Sequence, residues 1–204
     1  MEIVILAALV MAAFWLGACP FSLIIGRCLL HKDIRRYGDA NPGAWNVIRA
    51  GGVKVGLVAL VLDIAKGVPF VLIAGLLEYP ESAIMAVGFG AILGHAYSPF
   101  LKFRGGKAVA VTYGVLVALP DREMLAATAA CMVIGVLLIE VHAWVVILGT
   151  AGSLGYLIVT GSAGAQIFFL LAVLVVFILR YFPELKISPG YKGMLVHWLQ
   201  AVRH

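Results

Sequence analysis

The stretch Gly94-His95-Ala96-Tyr97-Ser98-Pro99-Phe100-Leu101-Lys102-Phe103-Arg104-Gly105-Gly106-Lys107-Ala108-Val109-Ala110-Val111-Thr112 is a polar island between long apolar runs. It carries a histidine, a serine, three basic residues and a Gly-Gly pair. Such an island is unusual in this chain, because 63% of its 204 residues are hydrophobic and 12% are charged. Soluble domains sit nearer about 45–50% apolar and about 25% charged. So few charges cannot cover a water-soluble surface, and the chain reads as an all-α integral membrane protein. A domain with a large lipid-binding groove is the alternative that composition leaves.

Outward from the island, seven apolar stretches can be marked, at about 3–25, 53–77, 83–101, 108–119, 124–140, 144–160 and 164–182. A spanning helix needs about 20 residues, with a range of about 17–25. The first, second, third and seventh meet that length, the fifth and sixth are marginal, and the fourth suits a half-helix or a helix that extends back into the Gly-Gly turn. The expectation is one transmembrane domain over 1–204 with about seven transmembrane helices, five or six being the alternatives.

Lys and Arg placement gives the orientation. With the N-terminus outside and seven alternating spans, the inner segments hold Arg27, Lys32, Arg35, Arg36, Arg49, Lys102, Arg104, Lys107, Arg180, Lys186, Lys192 and Arg203, twelve of the fifteen basic residues. Lys54 and Lys66 fall in the second span, which leaves Arg122 outside beside short acidic loops. This predicts N-terminus outside and C-terminus cytoplasmic. The net charge of +5 is therefore a topology signal, and with no basic and aromatic repeat, nucleic acid is not an expected partner. The first residues lack a basic n-region, which argues against a cleaved signal. Cys19, Cys28 and Cys131 form no CxxC pair, so neither a disulfide framework nor a metal site is expected.

In the first span, Gly17, Ala18, Ser22 and Gly26 are small residues suited to close helix contact, direct substrate contact being the alternative, and Pro20 is expected to kink the helix. Asp63 and Lys66, three residues apart in the second span, share one helix face and read first as a structural ion pair. The alternative is a role in positioning nearby site groups. The loop Arg27 to Gly52 is rich in turn residues and holds Asn41, Gly43, Asn46 and Arg49. Two amides that donate and accept and a forked cation suit a phosphate or carboxylate better than a metal; ordinary turn chemistry is the other reading. Arg104-Gly105-Gly106-Lys107 permits a tight turn that offers N–H groups and two cations to an anion. A helix starting just after Gly106 would add its positive end. The GxxxxGK[ST] spacing of a P-loop is absent. His95 and Ser98 lie one helical turn apart, but no carboxylate is near in sequence and no nucleophile elbow surrounds Ser98, so it is not read as a nucleophile. The tail from Met194 to His204 suits a short amphipathic helix on the membrane.

Four pieces, in order over about the first 115 residues, make the chain resemble the bacterial membrane glycerol-3-phosphate acyltransferases that use acyl phosphate as donor. Cys19-Pro20-Phe21-Ser22-Leu23-Ile24-Ile25-Gly26-Arg27 is similar to that family's Pro-Phe-containing opening. Asn41-Pro42-Gly43-Ala44-Trp45-Asn46-Val47-Ile48-Arg49 looks like its Gly-Ser-Gly-Asn-x-Gly-Ala-Thr-Asn-x-x-Arg. Leu62-Asp63-Ile64-Ala65-Lys66-Gly67 matches its Asp-x-x-Lys-Gly, and Gly94 to Thr112 its Gly-His-x-x-Ser-x-Phe-Leu-x-Phe-x-Gly-Gly-Lys-Gly.

The resemblance implies transfer of a fatty acyl group from acyl phosphate to the 1-hydroxyl of glycerol 3-phosphate, giving lysophosphatidate for phospholipid synthesis. It implies a multi-pass protein of the bacterial inner membrane, in contact with membrane lipids, with a site facing the cytoplasm and no cofactor. Lys107, Arg49 and Asn46 would be catalytic. Asn41, Gly43, Gly105, Gly106, Arg104, His95, Ser98 and Ser153 would bind substrate phosphate, Ser153 as counterpart of a third-motif serine. The alternatives are a divergent relative with another acceptor or no activity, and a small transporter or lipid-binding protein. Asp39 stands where the family has Ser, Trp45 where it has Thr, Ala108 where it has Gly, and Glu184 where it has Asn. A carboxylate at Asp39 repels a phosphate unless it is protonated or paired, and Glu184 replaces an asparagine that in the family helps hold glycerol 3-phosphate, so the resemblance keeps the donor side better than the acceptor side.

Overall fold

The computed structural model describes residues 1–191, and the expected helix over Met194 to His204 lies outside them. Ten α-helices account for most of the described residues, and all seven apolar stretches are helical. Among the described residues, five helical segments are long and apolar enough to cross a membrane: Glu2–Leu30, Val53–Leu76, Glu81–Leu101, His142–Val159 and Gly164–Tyr181. The fourth stretch is the short helix Val109–Ala118, and the fifth is the helix Arg122–Leu138. Large apolar side chains such as Ile3, Val61, Val133, Leu137 and Phe168 point outward, while Ser22, Asp63 and Lys66 are buried. That inside-out distribution is what a lipid solvent imposes.

The chain divides into two compact units, Met1–Arg122 and Glu123–His204. The first contains α1 (Glu2–Ala18), α2 (Phe21–Leu30), α3 (Ala44–Gly51), α4 (Val53–Ala65), α5 (Pro69–Leu76), α6 (Glu81–Ala96) and α7 (Val109–Ala118). Its main contact joins α1 to α6, and the reason is side-chain size. A Cβ on Gly94 would stand 2.0 Å from the Phe14 carbonyl oxygen, and one on Gly17 2.2 Å from that of Ala91. Only glycine lets the two backbones approach so closely.

Pro20 does more than kink the first span. α1 stops at Ala18 and α2 starts at Phe21, because proline supplies no N–H and clashes with the preceding turn. The break frees backbone carbonyls inside an apolar protein, where each needs a donor. Ser98 Oγ donates to the Ala18 oxygen at 2.6 Å, and Lys66 Nζ to the Cys19 oxygen at 2.9 Å. The second span is interrupted in the same way, between Ala65 and Pro69.

The loop after α2 is held by a small apolar cluster, Leu23, Ile34, Val47, Ala50 and Ala59. At its edge Lys32 Nζ donates to the Ala50 oxygen at 2.7 Å, neutralising the carbonyl end of α3. This fixes α3 against α4 and so sets the position of the loop residues that precede it.

The second unit contains α8 (Arg122–Leu138), apart from its first residue, α9 (His142–Val159) and α10 (Gly164–Tyr181). Thr128 and Ser153 share a buried hydrogen bond of 2.9 Å between α8 and α9. The Trp144 indole donates to the Ile187 oxygen at 2.7 Å, tying α9 to the turn Glu184–Lys186 and the residues after it.

Candidate functional site

The site is built where the loop before α3 meets the turn before α7. Gly38 and Ala40 both hold positive φ, at 57° and 59°, which folds the chain sharply around Asp39. The Asp39 carboxylate accepts from the Asn41 backbone N–H at 3.3 Å, an Asx-type turn. Its other oxygen receives Lys107 Nζ at 2.5 Å. Asn46 Nδ2 donates both to Asp39 Oδ1 and to the Asn41 carbonyl, each at 2.9 Å. Asn46 Oδ1 accepts from Arg49 Nη1 at 3.2 Å. Two acceptors on one side and a guanidinium on the other leave one sensible orientation of that amide.

Glycine at 38 is a steric requirement as well as a conformational one. A Cβ there would stand 1.9 Å from Arg49 Nη1 and 2.4 Å from Asn46 Oδ1. Helix α3 then presents Asn46 and Arg49 on one face, three residues apart.

The Gly-Gly pair plays a different part from the one its sequence suggests. Neither Gly105 nor Gly106 has positive φ; in this segment Lys102, Phe103 and Ala108 do, at 52°, 62° and 65°. The glycines are needed for close approach to the end of α6. A Cβ on Gly105 would lie 2.0 Å from the His95 oxygen, and one on Gly106 2.1 Å from His95 Nε2. Gly106 N–H donates to the His95 carbonyl at 3.0 Å, so that donor serves the fold and is not offered to an anion. The turn delivers Lys107 to Asp39, and Ala108 caps α7.

Beneath the turn lies a buried polar group joining α2, α4 and α6. Asp63 Oδ1 sits 2.7 Å from Lys66 Nζ, so the ion pair expected between them is present. Ser22 Oγ donates to Asp63 Oδ2 at 2.5 Å, and His95 Nδ1 is 4.0 Å from Asp63 Oδ1. Charges this deep persist only when paired and hydrogen-bonded. Ser22 belongs to this network, which the sequence did not indicate: its small size suggested helix contact first.

Of the sequence-derived site residues, Asn41, Asn46, Arg49 and Lys107 form one hydrogen-bonded cluster around Asp39, with Gly43 close to Asn41. Gly105, Gly106 and His95 support it from below. Arg104 is exposed on the same turn. Ser98 is buried with its proton committed to Ala18, and Ser153 is paired with Thr128 in the second unit.

Asp39 departs from the pattern, and the structure shows it paired. Burial pushes its carboxyl upward, but the Lys107 hydrogen bond and charge, with the Asn41 and Asn46 donors, hold it below the ordinary carboxylate value. The cluster thus sets one ammonium, one carboxamide N–H and one backbone N–H on the Asp39 carboxylate, with the Arg49 guanidinium behind Asn46, a donor set suited to oxyanions.

Residues 7–187 match the family model described as glycerol-3-phosphate acyltransferase. A glycerol-3-phosphate acyltransferase of Dechloromonas aromatica (strain RCB) is 44% identical over 114 residues, 56% of this chain and 58% of that protein. The chain thus spans less than two thirds of that curated relative's length. Among solved structures, the integral membrane glycerol 3-phosphate acyltransferase PlsY (YgiH) in its glycerol 3-phosphate form superimposes with a TM-score of 0.79 at 28% identity, covering 89% of this chain and 90% of that one. Its lysophosphatidic acid form gives a TM-score of 0.76 at the same identity and coverage.

Proposed function

This chain belongs to the glycerol-3-phosphate acyltransferase family, and from that membership we propose that it transfers a fatty acyl group from acyl phosphate to the 1-hydroxyl of glycerol 3-phosphate, releasing lysophosphatidate for phospholipid synthesis. The observation that carries the reading is the meeting of Lys107 and Asn46 on the Asp39 carboxylate, with Arg49 hydrogen-bonded behind Asn46. The fold neighbours described in a glycerol 3-phosphate form and a lysophosphatidic acid form support the acceptor and the product.

The chemistry asks little covalent work of the protein. Acyl phosphate is a mixed anhydride and is already activated. The acceptor hydroxyl attacks the acyl carbon, the bond from that carbon to the phosphate oxygen breaks, and inorganic phosphate leaves with the electron pair. The hydroxyl proton ends on phosphate. What the protein supplies is alignment of two anionic substrates and neutralisation of charge at the leaving oxygen. Lys107 and Arg49 provide the cations and Asn46 the directed N–H. Asn41, Gly43 and Arg104 complete the phosphate-binding surroundings; Gly105, Gly106 and His95 contribute by setting the place of Lys107, and Ser98 by holding the broken end of α1 through the Ala18 carbonyl. Ser153 is included through the family motif it resembles.

The same reading places the protein in the bacterial inner membrane as a multi-pass protein, with about seven helices, the N-terminus outside and the site toward the cytoplasm. The basic residues of the inner segments support that orientation.

The test is direct. Purified protein in lipid nanodiscs, given acyl phosphate and glycerol 3-phosphate, should form lysophosphatidate and equimolar inorganic phosphate. A folded sample that leaves glycerol 3-phosphate untouched while acylating another acceptor would overturn the acceptor; one that hydrolyses or transfers nothing would overturn the activity.

A further inference from the structure

We propose that Asp39 is a tethered anion standing in the phosphate subsite of Lys107 and Asn46, so that substrate phosphate binds by displacing it and Asp39 thereby tunes phosphate affinity. The inference rests on the reading of this cluster as a phosphate site.

The Asp39 carboxylate collects an ammonium at 2.5 Å, a carboxamide N–H at 2.9 Å and a backbone N–H at 3.3 Å. Those are the three donor types that hold a phosphate oxygen face. The orientation of Asn46 is set from behind by Arg49, whose Nη1 donates to Oδ1. Asn46 Nδ2 therefore points at the anion position whichever anion occupies it. Lys107 is shielded, its side chain 15% exposed, while the Asp39 side chain is 35% exposed. The carboxylate can turn into water, and the ammonium stays.

A contrast within the molecule sharpens the point. Asp63 also binds a lysine, but that pair is nearly solvent-free, with side chains 1% and 3% exposed, and Ser22 closes its second oxygen. Asp63 has no water to move into, so its pair is structural. Asp39 borders solvent, and its exchange for another anion trades one charge-assisted contact for another. A dianionic phosphate outcompetes the monoanionic carboxylate on Lys107, at the cost of breaking the Asp39 contact. Asp39 thus weakens phosphate binding without forbidding it.

The experiment measures binding without turnover. Inorganic phosphate is titrated onto the full chain in nanodiscs and followed by ³¹P NMR, for the unaltered protein and for Asp39→Asn, Asp39→Ser and Asp39→Glu. Partly exposed ion pairs contribute up to about fivefold in an equilibrium constant, so Asp39→Asn and Asp39→Ser should each bind phosphate about fivefold more tightly. Asp39→Glu keeps the charge and should stay within about twofold of the unaltered protein. Either neutral variant that retains its thermal unfolding transition is sufficient. Phosphate binding that is unchanged or weaker in that variant overturns the proposal and leaves Asp39 as a prop for the loop. Tighter binding in a protein that makes no lysophosphatidate would sustain the tethered anion and sink the acyltransfer reading, so the two failures stay distinct.

Discussion

Lys107 Nζ lies 2.5 Å from Asp39 Oδ2, across 68 residues of sequence. This contact joins the two polar segments of the chain into one site. It also answers the difficulty posed by a carboxylate where a phosphate is expected, since the carboxylate is paired.

Removing the ammonium should be decisive for catalysis. Lys107→Ala is expected to lower kcat/KM for acyl transfer by about 10²–10³, the usual cost of one preorganised charge or donor at the reacting centre. Steady-state kinetics with varied glycerol 3-phosphate checks it. Turnover within tenfold of the unaltered protein would mean that phosphate is held elsewhere.

The pH dependence of the Asp39 contact has a definite sign. Its carboxyl lies below the ordinary value in the folded protein, so its stabilising contribution is complete above the unfolded value of 3.8 and is lost as pH falls through the folded value. The stability difference between the unaltered protein and Asp39→Asn should therefore be flat from about pH 5 to 8 and shrink only in more acidic solution. Chemical denaturation in micelles across that range tests it; a difference that instead changes around neutral pH would implicate another group.

Two alanines hold conformations that favour glycine. Ala40 and Ala108 have φ of 59° and 65°, and Ala108 stands where the family motif has glycine. A left-handed non-glycine residue costs about 1–2 kcal/mol, partly offset by the greater entropy of glycine in the unfolded chain. Ala108→Gly should raise stability by about 1 kcal/mol, seen as a thermal midpoint about 2–4 °C higher. A lower midpoint would show that the alanine methyl is used in packing.

The Asp63–Lys66 pair should behave as a unit. Lys66→Met leaves a buried carboxylate without its cation and is expected to cost about 3–5 kcal/mol. Adding Asp63→Asn should recover much of that loss, because the uncompensated charge is gone. A double-mutant cycle in denaturant reads the coupling, and strictly additive losses would argue against a coupled pair.

Close approach at the Gly-Gly turn gives a last test. Gly106→Ala places a Cβ 2.1 Å from His95 Nε2, a distance no packed pair of atoms tolerates. Lys107 should shift with the turn, raising KM for the phosphate substrates by at least about tenfold, an effect of about 1.4 kcal/mol. Unaltered kinetics would show that the turn relaxes without moving Lys107.

How far the chain could be read in advance follows from the range of each interaction. Helix positions, the membrane class and the Asp63–Lys66 pair are local properties: apolar runs set the first two, and a three-residue spacing on one helix sets the third. Small residues at Gly17 and Gly26 also signalled close packing, which their surroundings bear out. The break at Pro20 was legible as a kink, but its extent was not, since the carbonyls it frees are satisfied by Lys66 and Ser98, 47 and 80 residues along the chain. Likewise Gly105-Gly106-Lys107 read as an anion-binding turn, yet its glycines serve to fit against His95. The polar island at Gly94 to Thr112 thus declared its chemistry in one dimension, because residue types and local spacing decide which groups are available. Which carboxylate meets Lys107, and which donors remain for a phosphate, depends on folding α3 against α4 and the turn against α6. Hydrogen bonds between distant residues carry no periodicity, so only the tertiary structure could assign them.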